Sequence, residues 1–227
     1  MSDNLTTCCY KTVNHNISDK YYDCASETFT GWINRIAFPL SFLFILSSNN
    51  TPENIKLYEN YILGIASISY LVLGLFDNSC NCRTYKDNIR YLDWLLTTPF
   101  LALIIYQYAV NINPDIQNDF QQWWFLVLPV IMVITGYIAK ISPDYKIKIL
   151  FLVLSFLALL ILLYLIYELS LRVDLRGLQY FFYIGWTLYG LVFLIDDYCI
   201  KSTLYNILDF INKIVFSLYL TLVVFKS

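Results

Sequence analysis

Seven apolar stretches near bilayer-spanning length constrain this 227-residue chain more than any other feature. They occupy residues 32–48, 56–76, 90–110, 121–140, 147–170, 177–195 and 203–225. The hydrocarbon core of a bilayer is about 30 Å thick, so a helix needs roughly 20 apolar residues to cross it. Within each stretch the apolar character is continuous rather than alternating, which selects helices over the strands of a barrel. Hydrophobic residues make up 58% of the chain and charged residues only 14%, which points to a polytopic membrane protein rather than a soluble globule. The expected fold class is all-α: a seven-transmembrane-helix bundle over 32–227, preceded by an extramembrane tail, 1–31. That tail has no apolar core of the kind found in signal peptides. The net charge of −2 argues against a nucleic-acid partner, so the lipid bilayer is the first partner implied. The first stretch is short and carries Arg35 and Pro39. Arg35 either lines the axis of a homo-oligomer or snorkels to the interface, and snorkelling is the simpler expectation.

Two signals bear on orientation, and they oppose each other. Cys8, Cys9, Cys24, Cys80, Cys82 and Cys199 fall in the tail, the second loop and the sixth loop, which share one face of a seven-span protein. Thiols gathered on one face suggest an oxidising compartment and disulfides, although spacing does not fix their pairing. Glycosylation sequons at Asn4 and Asn16 lie in the same tail. Both place the amino terminus outside the cell or in a lumen. Loop charge argues for the reverse: Lys11, Lys20, Arg83, Lys86, Arg90, Lys140, Lys146, Lys148 and Lys201 lie on the tail side, against Lys56, Arg172, Arg176 and Lys226. The cysteines carry more weight, because Arg90 has a second use and Lys140 lies at a helix end.

Lys213 sits deep in the last apolar stretch, where a free ammonium costs at least about 2.5–3.5 kcal/mol. Asp209 lies one helical turn before it and can offset the charge. The pair is either a structural ion pair or the mark of an amine that condenses with a carbonyl compound. In the third stretch Arg90, Asp93, Trp94 and Thr97 fall at i, i+3, i+4 and i+7, so one stripe carries a cation, a carboxylate, a ring and a hydroxyl. Two carboxylates, one arginine and a protonated imine are close to neutral together, which makes the group tolerable in a low-dielectric interior. Trp186, Tyr189 and Phe193 form an aromatic stripe in the sixth stretch. Alone it is ordinary packing; beside Lys213 and Trp94 it suggests a slot for a flat conjugated ligand. No metal site is expected.

The strings Arg90-Tyr91-Leu92-Asp93-Trp94-Leu95-Leu96-Thr97-Thr98-Pro99, Trp186-Thr187-Leu188-Tyr189 and Asp209-Phe210-Ile211-Asn212-Lys213 resemble the corresponding helices of microbial rhodopsins. The resemblance covers all seven spans, and the small size and Asn/Ile/Tyr/Lys-rich usage are similar to rhodopsins of giant algal viruses. It implies a transporter rather than an enzyme, with all-trans retinal bound covalently to Lys213 as a Schiff base. It further implies that Asp93 is the primary counterion and proton acceptor, Asp209 the second counterion, Arg90 a gate on the extracellular side, and Thr97 the hydroxyl bonded to the acceptor. Tyr70 would hydrogen-bond Asp209. Trp94, Thr98, Leu101, Met132, Thr135, Gly136, Ser155, Trp186, Tyr189 and Phe193 would line the chromophore, with Leu101 implying green absorption.

The departures matter. Gly190 stands where the family usually has proline and Phe193 where many members have tryptophan, so a loosened ring pocket is expected. Ile104 stands where outward proton pumps carry a carboxylate donor. Glu59 aligns toward the same half-channel and either replaces that donor or snorkels from its helix end. The cargo is then a proton or a small cation. A light-driven proton pump is expected ahead of a light-gated cation channel, for which Glu59 with Asn60, Asn206 and Asn212 would line a hydrated path; a sensory photoreceptor ranks third.

Overall fold

The computed structural model describes residues 25–49, 51–75, 83–117 and 119–225. Among them are seven helices and no strand, as the apolar stretches require. These are α1 (Ala25–Ser47), α2 (Glu53–Leu75), α3 (Arg83–Ile112), α4 (Asp119–Ile141), α5 (Tyr145–Ser170), α6 (178–193) and α7 (198–224). Successive helices from α1 to α5 pack as neighbours, and α7 returns against α1 to close the bundle. Five helices are long and apolar enough to cross a membrane. The other two are α2, which carries Glu53, Lys56 and Glu59, and the short α6. The chain is an integral, multi-pass membrane protein. Large apolar side chains such as Ile36, Leu40, Leu71, Leu157 and Leu160 face outward, where lipid satisfies them.

Local chemistry sets the helix ends. Asp144 caps α5 by accepting from the main-chain N–H of Lys146 at 2.7 Å, and Asp197 caps α7 by accepting from that of Ile200 at 2.9 Å. Between α5 and α6 the chain reverses through Arg176 and Gly177, with φ of 48° and 84°. Two bonds hold this turn to the end of α7: Tyr219 Oη donates to Arg176 O at 2.6 Å, and Arg176 Nη1 donates to Val224 O at 3.0 Å.

Helix α1 begins at Ala25, ahead of the expected span start at Trp32, and so brings Glu27 and Thr30 into the bundle. The Arg35 guanidinium lies 4.8 Å from the Trp32 ring and packs onto α2 where Gly74 leaves space. Cys199 falls in the first turn of α7 and is disulfide-bonded. Cys8, Cys9, Cys24, Cys80, Cys82 and both sequons lie outside the described residues.

Polarity divides the bundle. Among the described residues, every buried polar or charged side chain lies on α1, α2, α3 or α7, or at Thr51 between α1 and α2. The buried side chains of α4, α5 and α6 are apolar or aromatic. Helix α6 contains a π-helical segment, Phe181–Trp186, and α7 contains two, Phe210–Val215 and Leu220–Val224; the first of these faces the one in α6. Wider turns of this kind often occur at functional sites. The Asn212 side chain fills the space beside Gly185, so that a Cβ at Gly185 would overlap its amide. Gly185→Ala is therefore expected to destabilise the protein by about 1–3 kcal/mol, read as a lower melting temperature, while Gly64→Ala, whose Cβ would meet Phe42 at an ordinary 3.5 Å, leaves it nearly unchanged.

Candidate functional site

Lys213 is the one lysine buried among the described residues, at 1% exposure. Its ammonium hydrogen-bonds Asp93 Oδ2 of α3 and lies 3.7 Å from Asp209 Oδ1 on its own helix. The two carboxylates are held very differently. Asp209 accepts from Tyr70 Oη of α2 at 2.8 Å, Trp94 Nε1 of α3 at 3.0 Å and Tyr189 Oη of α6 at 2.6 Å. Asp93 has, apart from the ammonium, the Ser69 hydroxyl of α2 beside it, a contact too loose to give its buried Oδ1 a well-formed hydrogen bond. Sequence reasoning foresaw the Tyr70 bond. It treated Trp94 and Tyr189 only as ring surfaces, whereas both also donate to Asp209.

Thr97 is a correction. Its hydroxyl donates to the main-chain carbonyl of Asp93 at 2.7 Å, one turn back along α3, and not to the carboxylate. Thr98 makes the same back-bond to Trp94 O at 2.6 Å.

Arg90 is buried, and its Nη2 donates to Asn206 Oδ1 at 2.9 Å. Asn206, expected from the sequence only as a lining residue of a hydrated path, is a junction. Its Oδ1 also lies 3.3 Å from Tyr70 Oη, its Nδ2 donates to Thr30 Oγ1 at 3.0 Å and Glu27 O at 3.2 Å, and its own carbonyl accepts from Asn34 at 2.8 Å. Glu27 is an omission of the sequence reading: Oε1 accepts from Ser202 at 2.7 Å and lies 3.3 Å from Lys86 and 3.8 Å from Arg90. The spacing of Glu27, Thr30 and Asn34 at i, i+3 and i+7 signals this face, but it is hidden when residues through 31 are taken as tail.

Glu59 lies on the other side of Lys213. It is fully buried and therefore does not snorkel. Thr221 Oγ1 lies 3.5 Å from its Oε2 and 3.1 Å from Thr51 Oγ1, while Ile104 is buried within the apolar core.

A cavity extends from Lys213 between α3, α4, α5 and α6. Trp94, Thr98, Leu101, Met132, Gly136, Ser155, Trp186, Tyr189 and Phe193 all line it. Thr135 does not: its hydroxyl turns back to Ile131 O at 2.6 Å, so it is removed from the lining set. Nor does Gly190 loosen the pocket, because the Phe156 ring of α5 fills the vacated space, 2.7 Å from where a Cβ would stand. Nothing in the sequence around Phe156 signals that compensation. The long, apolar, aromatic-walled cavity with a single amine at one end suits a polyene aldehyde.

The sequence pattern of bacteriorhodopsin-like proteins matches residues 25–227. The chain belongs to this family. Membership makes it a microbial rhodopsin, a family whose chromophore is retinal on a lysine. The fold is similar to the proton-pumping rhodopsin AR2 of the marine alga Acetabularia acetabulum, with a TM-score of 0.74 and 18% identity over 89% of this chain and 97% of that one. It is similar to viral rhodopsin OLPVRII, with a TM-score of 0.71 and 24% identity over 86% and 94%. It is also similar to the thermophilic rhodopsin of Rubrobacter xylanophilus, with a TM-score of 0.70 and 25% identity over 86% and 94%. Comparison with curated proteins gives no match.

In this rhodopsin the donors to Asp209 hold both the charge and the helices. Asp209→Ala is expected to cost about 3–5 kcal/mol, since it leaves Tyr70, Trp94 and Tyr189 unpaired and Lys213 with one carboxylate. Tyr189→Phe is expected to cost about 1.5–3 kcal/mol. Denaturation of the retinal-free protein checks both, and equal losses in the two variants would contradict the shared-acceptor geometry.

Proposed function

We propose that this rhodopsin is a light-driven proton pump, with all-trans retinal on Lys213 and Asp93 as the proton acceptor. The observation that carries this reading is the inequality between the two carboxylates. Asp209 is occupied by three donors from three helices, whereas Asp93 touches the amine and, besides it, the Ser69 hydroxyl of α2. A proton leaving the lysine nitrogen meets Asp93 as the nearer, less committed base. Retinal, when bound, supplies the light-driven isomerisation that re-aims the nitrogen's proton. Arg90 and Asn206 stand on the tail side of Asp93 and tie the exit half of the bundle closed.

Return of a proton from the opposite side is assigned to Glu59. Ser217 and Thr221 lie one and two turns beyond Lys213 on α7, buried along the line to Glu59, and Ile104 supplies no titratable group there. The disulfide at Cys199 supports an oxidising environment on the tail side, hence an extracellular or lumenal amino terminus and outward transport. Similarity to OLPVRII supports a viral grouping.

A second reading, passive cation conduction, is favoured by one observation: the buried polar groups form a seam along α1, α2, α3 and α7 through most of the bundle's length. Voltage separates the two. A pump current keeps one direction at all moderate voltages; a channel current reverses near the permeant ion's equilibrium potential and follows the external cation concentration.

Three variants test the residue roles. Lys213→Ala is expected to give no visible band with added retinal, and a retained band would refute the attachment. Asp93→Asn is expected to red-shift the pigment and abolish fast deprotonation of the lysine nitrogen; an unchanged spectrum and photocycle would move the role to Asp209. Glu59→Gln is expected to slow late recovery by roughly 10²-fold, the scale of a lost general acid, and to make that recovery depend more strongly on pH.

A further inference from the structure

A second cavity, of about 260 Å³, opens at the tail-side end of the bundle behind the ligand slot. Tyr91, Trp94, Leu152, Phe193 and Tyr205 line both cavities and form the wall between them. The charges around the second cavity do not balance. Arg90, Lys140, Lys148 and Lys201 line it, against only Asp87 and Asp196. Asp87 is already engaged, since Lys140 ion-pairs with it and Arg90 Nη1 lies 3.9 Å away. Lys201 is within electrostatic reach of Asp87 and Asp196 and, after them, of Lys140 and Lys148, so two carboxylates are shared among four cations here. Arg90 adds an independent sign: it is 3% exposed and has Glu27 and Asp87 at 3.8 and 3.9 Å, yet its Nε and Nη1 make no hydrogen bond to the described residues. Buried guanidinium donors left without acceptors are expensive, and water alone would satisfy them without relieving the excess positive charge. An anion does both.

We propose that this cavity binds a small monovalent anion, a halide or a short carboxylate, between Lys148, Lys201 and Arg90. The volume admits such an ion with several waters, each of which takes about 30 Å³ in the liquid. The site meets the polar seam at Arg90, and its aromatic wall is shared with the chromophore slot, so occupancy adjusts the field at Arg90.

Chloride is the probe, and chlorine NMR line broadening on the full chain in detergent or nanodiscs is the measurement, made without light and with or without retinal. Its failure is thus distinguishable from failure of the pump reading. Wild type is expected to show saturable excess broadening that acetate displaces. Lys148→Gln and Lys201→Gln are each expected to weaken chloride binding roughly fivefold, the scale of a partly exposed charge pair. Lys148 is exposed, so its variant retains the fold. Absent or non-saturable broadening, failure of acetate to compete, or unchanged affinity in the double variant would each overturn the proposal.

Discussion

The ammonium of Lys213 is the interaction on which the rest of the bundle depends. A cation without a partner at this depth is untenable, and a single carboxylate beside it would have lone pairs left to satisfy. The chain meets both needs by drawing donors from separate helices onto Asp209: Tyr70 from α2, Trp94 from α3 and Tyr189 from α6, while Asp93 comes from α3. Each bond is directional, so the set fixes the rotation of these helices as well as the charge. Apolar packing alone would not, because lipid tails and Leu side chains are equally good neighbours for a helix face.

From that centre the bundle divides into a polar side and an apolar side. The polar side, α1, α2, α3 and α7, continues the hydrogen bonding in both directions along the membrane normal. The apolar side, α4, α5 and α6, holds the ligand slot, where Phe156 occupies the space left by Gly190 and Ser155 donates to Met132 O at 2.8 Å. A conjugated ligand attached to Lys213 thus has its reactive end among charges and its body among rings and aliphatic groups. One side carries the buried charges, and the other the apolar slot.

How much of this was legible in the sequence depends on the range of the interaction concerned. The seven helices follow from length and continuous hydrophobicity, and the Asp209–Lys213 pair follows from helical spacing, because both are local. The Arg90 to Thr97 stripe placed the right residues on one face but not the right bond, since the threonine hydroxyl has a nearer acceptor in its own helix. Thr135 failed for the same local reason. Phe156 and Asn206 act across helices far apart in the chain, and no periodicity reports which residue will fill a space or bridge a gap. Glu27 was obscured by a boundary: the polar residues that begin α1 look like tail until their partners on α3 and α7 are seen.

The two halves of the polar seam are bonded to very different degrees, and transport must work against that difference. On the tail side Asn206 joins residues of α1, α2, α3 and α7, and Glu27 and Asp87 hold Arg90 from two directions. Opening that half means breaking several linked bonds together. On the other side Glu59 is approached by the hydroxyls of Thr221, at 3.5 Å, and Ser217, while Glu59 Oε1 and Asn60 Oδ1 are buried and make no hydrogen bond to the described residues. Those groups gain hydrogen bonds if water enters, so hydration of that half is favoured where hydration of the tail half is resisted. A seam closed firmly at one end and readily wetted at the other suits alternating access of a proton better than an open pore. Conversion to a pore would require the Asn206 network to give way first.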